Sequence, residues 1–380
     1  MKKKRKGKTI KIFALASFLN DLGSDMIYPV WPLFVTTVLG ANMTTLGFID
    51  GLGEAIVSIS QAASGYLSDK IRKRKVFIWS GYLFGALSRV GYGLSTVWQQ
   101  LIPFRILDRA GKIRGAPRDA IIADVSTKET RGKNFGLLRA MDNLGAVGGI
   151  IICILFFRLL GYRNLFLLAA IPSIVGAFLI FSLIKERKPE NRVYKGLALR
   201  ILDKNFVLFL LLSSFFALGS FSYSFLLIYA KQLGFQTTFV PVLYLIFTAV
   251  ASLFSLPFGK LSDKKGRKFV LALSYIFWGL VCLTFILLRN YLAIILTFVL
   301  YGLHRASLDT VQKAFVSELA PREFRASILG GFQMVTGLCA LPASFMAGIL
   351  WDKIGILAPF YFSLGLTTLA IVLLMFVKEE

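Results

Sequence analysis

Apolar runs about as long as a bilayer is thick recur along nearly the whole chain. A helix needs about 20 residues, each rising 1.5 Å, to cross a hydrocarbon core of roughly 30 Å. Hydrophobic residues make up 56% of the 380 positions and the mean hydropathy is +0.69, more than a soluble domain carries. Strand-length alternation of apolar and polar residues is absent, so helices are predicted to span the bilayer instead of a β-barrel. The sequence therefore predicts a polytopic membrane protein.

The apolar runs divide into twelve predicted membrane helices joined by short polar connectors. One connector is longer, about 20 polar residues, and it separates the sixth helix from the seventh. We therefore predict an all-α fold with two six-helix bundles, residues 1–190 and 205–380, and a cytoplasmic linker at 191–204. The predicted helices span residues 10–37, 43–67, 76–96, 98–120, 134–159, 163–184, 205–231, 238–260, 268–288, 291–315, 325–350 and 357–377.

Basic residues are concentrated in connectors that twelve helices would place on one side of the membrane. The formal net charge is +24. With a cytoplasmic N-terminus, the runs MKKKRKGK, DKIRKRK and DKKGRK, the segment 112–133 and the central linker all lie inside, which is the positive-inside bias. We therefore expect a multi-pass protein of the cytoplasmic (inner) membrane with both termini in the cytoplasm. The positive net charge is then explained by the orientation of the protein in the lipid bilayer, and no nucleic-acid partner is expected.

An acid-then-basic phrase occurs twice, as GYLSDKIRKRK from Gly65 and as GKLSDKKGRKF from Gly259, 194 positions apart. Each copy follows a predicted helix, the second and the eighth, at equivalent positions of the two halves. The same offset brings Asp124 into register with Glu318. We infer a duplicated six-helix unit with pseudo-symmetric halves, a design used by many secondary transporters.

The second copy of the phrase, at 259–268, resembles throughout the signature G-x-L-S/A-D-R/K-x-G-R-R/K of the major facilitator superfamily. The first copy has Arg72 where that signature has glycine, so we expect its loop to turn differently. The resemblance extends over essentially the whole chain. It implies the major facilitator fold, transport by alternating access through rocking of the two halves, and cytoplasmic latches at the two phrases. The latch residues implied are Gly65, Asp69, Arg74, Gly259, Asp263, Gly266 and Arg267.

Charged residues inside predicted helices are the candidates for substrate binding and coupling, because charge is costly in hydrocarbon and usually faces a cavity or a partner. The family resemblance implies that the first, fourth, seventh and tenth helices line a central cavity. The substrate-binding residues expected there are Tyr28, Trp31, Arg105, Asp108, Arg109, Ser220, Tyr223, Arg305 and Asp309.

Proton coupling is expected from carboxylates of the first helix, where residues 12–37 contain no cation. An apolar setting disfavours the charged form of a carboxyl, which allows it to load and release a proton. Asp25 is the first candidate and Asp21 the second. His304, the one histidine of the chain, is the third, because histidine titrates near neutral pH. The alternative for His304 is a hydrogen-bonded structural role.

Two substrate classes remain open, with the first favoured. LGSDMIYPVWP at 22–32 resembles the drug-exporter pattern L-G-x5-P-V-x-P, and GAVGG at 145–149 loosely resembles an antiporter glycine motif without its proline. These favour proton-coupled efflux of lipophilic cations, held by carboxylates and aromatic rings. The alternative is an anionic metabolite or siderophore clamped by Arg105, Arg109 and Arg305, since guanidinium groups suit carboxylate and phosphate.

Some of these charges would instead neutralise one another structurally. The pairs concerned are Asp108 with Arg109 or Arg105, Arg139 with Asp142, and Arg305 with Asp309.

Other functional classes lack their motifs in this sequence. No phosphate-cradling GxxxxGK[ST] and no HExxH motif occur, and the three cysteines fall inside predicted helices without metal-ligand spacing. We therefore expect no enzyme activity, cofactor or metal site. The expected partners are a small-molecule substrate, protons and lipid, and the expected oligomeric state is a monomer.

Overall fold

The computed structural model describes residues 2–71, 73–186, 203–320 and 325–379, which are helical and contain no β-strand. The predicted linker lies almost entirely outside these ranges. Twelve helices are present as predicted, and each overlaps its predicted span. They are α1 (Lys2–Ile27, continued by Trp31–Leu33 and Phe34–Val38), α2 (Met43–Ile71), α3 (Lys75–Leu94), α4 (Leu101–Ala110 and Gly115–Val125), α5 and α6 (Lys128–Leu183, divided at Gly161), α7 (Lys204–Gly219 and Tyr223–Gln232), α8 (Val240–Lys265), α9 (Arg267–Leu287), α10 (Tyr291–Leu319), α11 (Arg325–Lys353) and α12 (Ala358–Phe376).

Seven helical segments of the described chain are long and apolar enough to cross a bilayer by themselves. One of them, Gly132–Leu183, contains α6 and most of α5, which separate at Gly161 with a φ of +67°. The other six correspond to α7 through α12. In the described chain α1 through α4 fall outside this set; each of them contains charged residues, and α1 and α4 are also interrupted. Their place in the bilayer depends on pairing those charges within the bundle.

The chain forms two compact units that are not quite the two sequence halves. The first unit comprises residues 1–40 and 56–192, and the second comprises 41–55 and 193–380. The division falls inside α2, so the beginning of this helix belongs to the second unit and its remainder to the first.

Within the first unit, glycines of α5 bring its backbone against that of α1. A Cβ atom added at Gly145 would overlap the carbonyl oxygen of Phe18, and one added at Gly149 would overlap that of Leu22. Small residues permit such close approach of membrane helices. The glycine run that resembles an antiporter motif therefore holds α1 closely against α5.

The turn of the second acid-basic phrase is made by one glycine. In the second copy, α8 ends at Lys265 and α9 begins at Arg267, so Gly266 alone makes the turn with a φ of +94°. Glycine adopts this left-handed conformation at little steric cost. In the first copy α2 ends at Ile71 and α3 begins at Lys75. Arg72, which replaces the turning glycine, lies outside the described residues.

Matched ion pairs follow the two phrases. Arg74 Nη1 lies 2.6 Å from Asp124 Oδ2, and Arg267 Nε lies 3.0 Å from Glu318 Oε1. Asp124 and Glu318, which the sequence places in register, thus each contact an arginine of the preceding phrase, although the two arginines differ by one position in that register. Asp69 lies in α2, but its side chain is outside the described part of the structure.

Carboxylates also cap the starts of the helices after each phrase. Glu186 accepts the backbone N–H of Arg74 at 2.8 Å, and Glu379 accepts that of Arg267. A carboxylate at a helix start satisfies N–H groups that have no partner inside the helix and faces the positive end of the helix dipole. The duplication therefore extends to how these helices begin.

We predict that Gly149→Ala lowers the melting temperature of the purified protein, because the added methyl group must push α1 away from α5. Overpacking of this kind costs about 1–3 kcal/mol. The matched control is Gly136→Ala in α5, where an added Cβ meets no atom within 4 Å and alanine favours the helix. Equal melting temperatures for the two variants would contradict the packing described here.

Candidate functional site

Two arginines of α4 lie against two aromatic rings at the end of α1. The Cζ atom of Arg105 is 4.6 Å from the ring centroid of Trp31, and that of Arg109 is 5.2 Å from the ring centroid of Tyr28. Arg105 and Arg109 are four apart on α4 and share a face, and Tyr28 and Trp31 lie close together at the break in α1, so the two contacts form side by side. Each such cation–π contact is worth about 0.5–2 kcal/mol, depending on its desolvation.

A carboxylate completes this group. The Asp108 side chain is buried, and its Oδ2 lies 3.6 Å from Nε of Arg109. Ser88 Oγ donates to Oδ1 of Asp108 at 3.5 Å. Tyr28, Trp31, Arg105, Asp108 and Arg109 are called the arginine–aromatic cluster below. With two guanidinium groups and one carboxylate, the cluster carries one net positive charge.

Arg105 and Arg109 are both deeply buried, at 1% and 7% relative exposure. Charges interact more strongly in such a setting than in water, because the effective dielectric constant is lower. Further cations, Arg89 and Lys112, also act electrostatically on Asp108. Asp25 acts on Tyr28 as well, so charges of both signs surround the cluster.

Arg89 of α3 is held by neutral oxygens in the first unit. Its guanidinium donates to the Ala169 carbonyl (3.1 Å), to the Ser173 hydroxyl, to Ser24 Oγ (2.7 Å), and to Asn20 through the carbonyl (3.2 Å) and Oδ1 (3.4 Å). These acceptors belong to α1 and α6, so one buried cation joins three helices. In the sequence Arg89 has no nearby partner, because the residues that it contacts are 65–84 positions away.

The two acidic coupling candidates occupy different surroundings on α1. Asp21 Oδ1 accepts from Asn20 Nδ2 at 2.9 Å and interacts electrostatically with Asp142 of α5. Asp142 accepts a hydrogen bond from Ser17 Oγ, which itself accepts from Arg118 Nη1 at 2.8 Å. This polar network around Asp142 was not predicted.

Asp25 lies one turn along α1 from Asp21, and both side chains are half-buried. Asp25 acts electrostatically on Tyr28 of the cluster. The structure thus places one coupling candidate beside the arginine–aromatic cluster and the other beside the network of Asp142.

The remaining substrate-binding candidates lie in the second unit. Ser220 and Tyr223 flank the break in α7, and both are half-buried. The Tyr223 ring packs against those of Tyr244 and Phe247, with centroids 5.3 and 6.2 Å apart. Such rings offer apolar contact area to a substrate.

His304 of α10 is buried at 1% exposure between aromatic rings. Its Nδ1 lies 2.9 Å from the carbonyl oxygen of Ser274, so Nδ1 carries a hydrogen and donates. Ser274 Oγ in turn donates to the His304 carbonyl at 3.1 Å. This is the arrangement expected of a histidine that fastens α10 to α9.

The three pairs expected to neutralise one another do approach within ion-pair distance. The shortest is Arg305 Nη2 to Asp309 Oδ2, at 2.9 Å on the exposed side of α10. The other distances are 3.6 Å for Arg109 with Asp108 and 4.0 Å for Arg139 with Asp142. Within the described residues, no three histidine, cysteine or carboxylate side chains converge as metal ligands do.

We predict that Arg89→Gln lowers the melting temperature, since glutamine cannot supply the hydrogen bonds that join α1, α3 and α6. Hydrogen bonds to a charged group contribute about 1.5–3 kcal/mol each, and unsatisfied buried acceptors cost more. Arg158→Gln, at an exposed position of α5, serves as the control. A melting temperature that falls equally in both variants would contradict a structural role for Arg89.

Known proteins resemble this chain along its full length. A chain from Methanocaldococcus jannaschii described as an uncharacterized MFS-type transporter is 38% identical over 97% of this chain and 95% of its own. Multidrug resistance protein 2 of Bacillus subtilis is 25% identical, with 98% and 96% covered, and multidrug resistance protein 1 is 26% identical, with 94% and 93% covered. The solved structure of a mutant of the nucleoside transporter NupG matches with a TM-score of 0.83 at 14% identity, over 98% of this chain and 100% of that chain. At this identity the structural likeness concerns the fold alone.

The family assignment follows from a direct match as well. The family model of the Major Facilitator Superfamily matches residues 13–253 and 207–380. Together with twelve helices, the repeated phrase and its matched ion pairs, this identifies the chain as a multi-pass membrane transporter that belongs to the major facilitator superfamily.

Proposed function

We propose that this protein is a secondary active transporter that moves a small organic molecule carrying an anionic group by alternating access. Arg105 and Arg109 hold that group. The observation that carries the proposal is the arginine–aromatic cluster, whose net charge is positive and whose guanidinium groups are buried. Carboxylate and phosphate are the groups that guanidinium recognises best.

The aromatic faces support the same choice of substrate. Lipophilic cations bind to proteins over the faces of tryptophan and tyrosine. In the cluster, the Trp31 and Tyr28 rings already have guanidinium groups against them, at 4.6 and 5.2 Å. A cationic substrate would have to displace these arginines and would meet their repulsion. An anion instead finds two guanidinium groups whose positions the rings have restricted before binding.

A second candidate function is proton-coupled efflux of lipophilic cations. It is supported by the multidrug resistance proteins of Bacillus subtilis among the relatives and by the exporter-like segment 22–32. In this function Asp21 and Asp25 hold the cation, with Tyr223 as an additional aromatic contact. The two candidates differ in the sign of the substrate's charge, so one binding experiment separates them.

In either case we assign coupling to protons and place it on α1. Asp25 lies beside the cluster, so its protonation can compete with substrate binding at the arginines. Asp21 lies beside Asp142. His304 is given a packing role, because Nδ1 donates to a backbone carbonyl. We further propose a monomer in the cytoplasmic membrane with both termini in the cytoplasm.

The two acid-basic phrases serve as cytoplasmic latches in this scheme. In the second, Arg267 Nη1 lies 2.6 Å from Asp263 Oδ1, and its Nε also contacts Glu318. In the first unit, Arg74 contacts Asp124 at 2.6 Å. Substitution of a latch residue is expected to slow transport while ligand affinity is retained.

We predict that anionic metabolites, and not lipophilic cations, raise the melting temperature of the purified protein. A ligand at 100 times its Kd adds about 2.7 kcal/mol of stability. The shift should disappear in Arg109→Gln and persist in Arg139→Gln, which removes an arginine whose side chain is 77% exposed. Cation-induced shifts lost in Asp25→Asn would contradict the first function and favour the second.

Under the second function, proteoliposomes should expel a fluorescent lipophilic cation when a proton gradient is imposed. Asp25→Asn is then expected to abolish the gradient-driven flux, because amide cannot exchange a proton, while exchange of substrate without a gradient continues. Flux that is unchanged in Asp25→Asn would remove this residue from coupling.

A further inference from the structure

The beginning of α2 is fastened to the end of α11 by a carboxylate. Asp352 accepts the backbone N–H groups of Met43 (3.3 Å) and Thr44 (2.7 Å), as well as the Thr44 hydroxyl (2.6 Å). These N–H groups open α2, have no partner inside the helix, and form the positive end of its dipole. Asp352 is exposed, so water can replace it when the contact opens.

A second carboxylate makes the reciprocal contact from α2 to α7. Asp50 is 2% exposed and accepts hydrogen bonds from Ser222 Oγ (2.8 Å) and Ser224 Oγ. Ser222 caps the second segment of α7, since its Oγ also accepts the N–H of Ser224 at 3.2 Å. Asp352 of α11 therefore lies at the start of α2, and Asp50 of α2 lies at the start of the second segment of α7.

Backbone packing between α2 and α11 accompanies the two carboxylates. A Cβ atom at Gly47 would overlap the Ser344 carbonyl, and one at Gly51 would lie 2.8 Å from the Cα atom of Leu341. On α11, a Cβ at Gly348 would overlap the carbonyl oxygen of Met43. Helices that meet this closely have one well-defined register, so the contact is either made or broken.

We propose that these contacts form a releasable latch, the α2 latch, defined by Asp50 and Asp352 with the helix starts that they cap. It holds residues 41–55 on the second unit, whereas residues 56–71 of the same helix belong to the first. The start of α2 at Met43 and the phrase that begins at Gly65 lie towards opposite ends of this helix, about 33 Å apart at 1.5 Å per residue. Opening of the latch frees the beginning of α2 from α7 and α11, a step that rests on the alternating-access part of the proposed function.

Hydrogen–deuterium exchange of the full chain in lipid nanodiscs tests the latch. Asp352→Asn weakens the charge-assisted hydrogen bonds, so amides of residues 43–55 should exchange roughly tenfold faster. Thr44→Val, which removes one hydroxyl from a half-buried position, should have a smaller effect in the same segment. The double variant should exchange no faster than Asp352→Asn alone, since both changes act on one contact.

The matched control is Glu379→Gln, which neutralises a carboxylate that caps α9 instead. It should speed exchange at the start of α9 and leave residues 43–55 unchanged. Unchanged exchange of 43–55 in both Asp352→Asn and Thr44→Val would overturn the latch. Should Asp352→Asn loosen the whole chain, the result with Thr44→Val decides. Because the measurement needs no substrate, it stays informative even if the proposed substrate class fails.

Discussion

A buried charge in a membrane bundle must find oxygen or charge partners, and the first unit is arranged around that constraint. Arg89 donates to five oxygens on α1 and α6. Arg105 and Arg109 lie on aromatic rings, and Arg109 lies near Asp108. Since water is scarce in the hydrocarbon region, each of these contacts fixes the position of a helix as well as a side chain. The α1 face that carries the acidic coupling candidates is positioned by such contacts and by the glycines of α5.

The same constraint connects the fold to the proposed substrate. Rings that stack on the protein's own guanidinium groups restrict those groups to a few orientations, which lowers the entropy lost when an anion binds. A cluster with one net positive charge is also less stable empty than when an anion neutralises it. Arg109 can therefore both pair with Asp108 and bind substrate, because Asp108 neutralises only part of the positive charge of the cluster.

Much of the architecture could be predicted from sequence because it depends on local or repeated patterns. Apolar run lengths predict the twelve helices of the described chain, and the glycine of the second phrase predicts the tight turn at Gly266. The family resemblance implied that α1 and α4 line a common cavity. It could not indicate that the Trp31 and Tyr28 rings would face Arg105 and Arg109, since that depends on the relative rotation of two helices.

Contacts distant in sequence escaped prediction for a physical reason. Asp352 meets Thr44 across 308 positions, and Asp50 meets Ser222 across 172. Neither residue shows a helical periodicity that marks a partner. The division of α2 between the two units is likewise invisible in its sequence, which has the composition of one continuous helix. Sequence patterns therefore indicate which side chains are costly to bury, whereas three-dimensional packing determines which of them meet.

Trp31 offers a direct probe of whether the arginine–aromatic cluster binds an anionic group. Tryptophan fluorescence responds to charge near the ring, and Trp31 can be isolated by replacing the other four tryptophans with phenylalanine. Anionic metabolites should produce a saturable change in Trp31 emission that is lost in Arg105→Gln. A saturable change with lipophilic cations alone, or an anion response that survives Arg105→Gln, would contradict anion binding by the cluster.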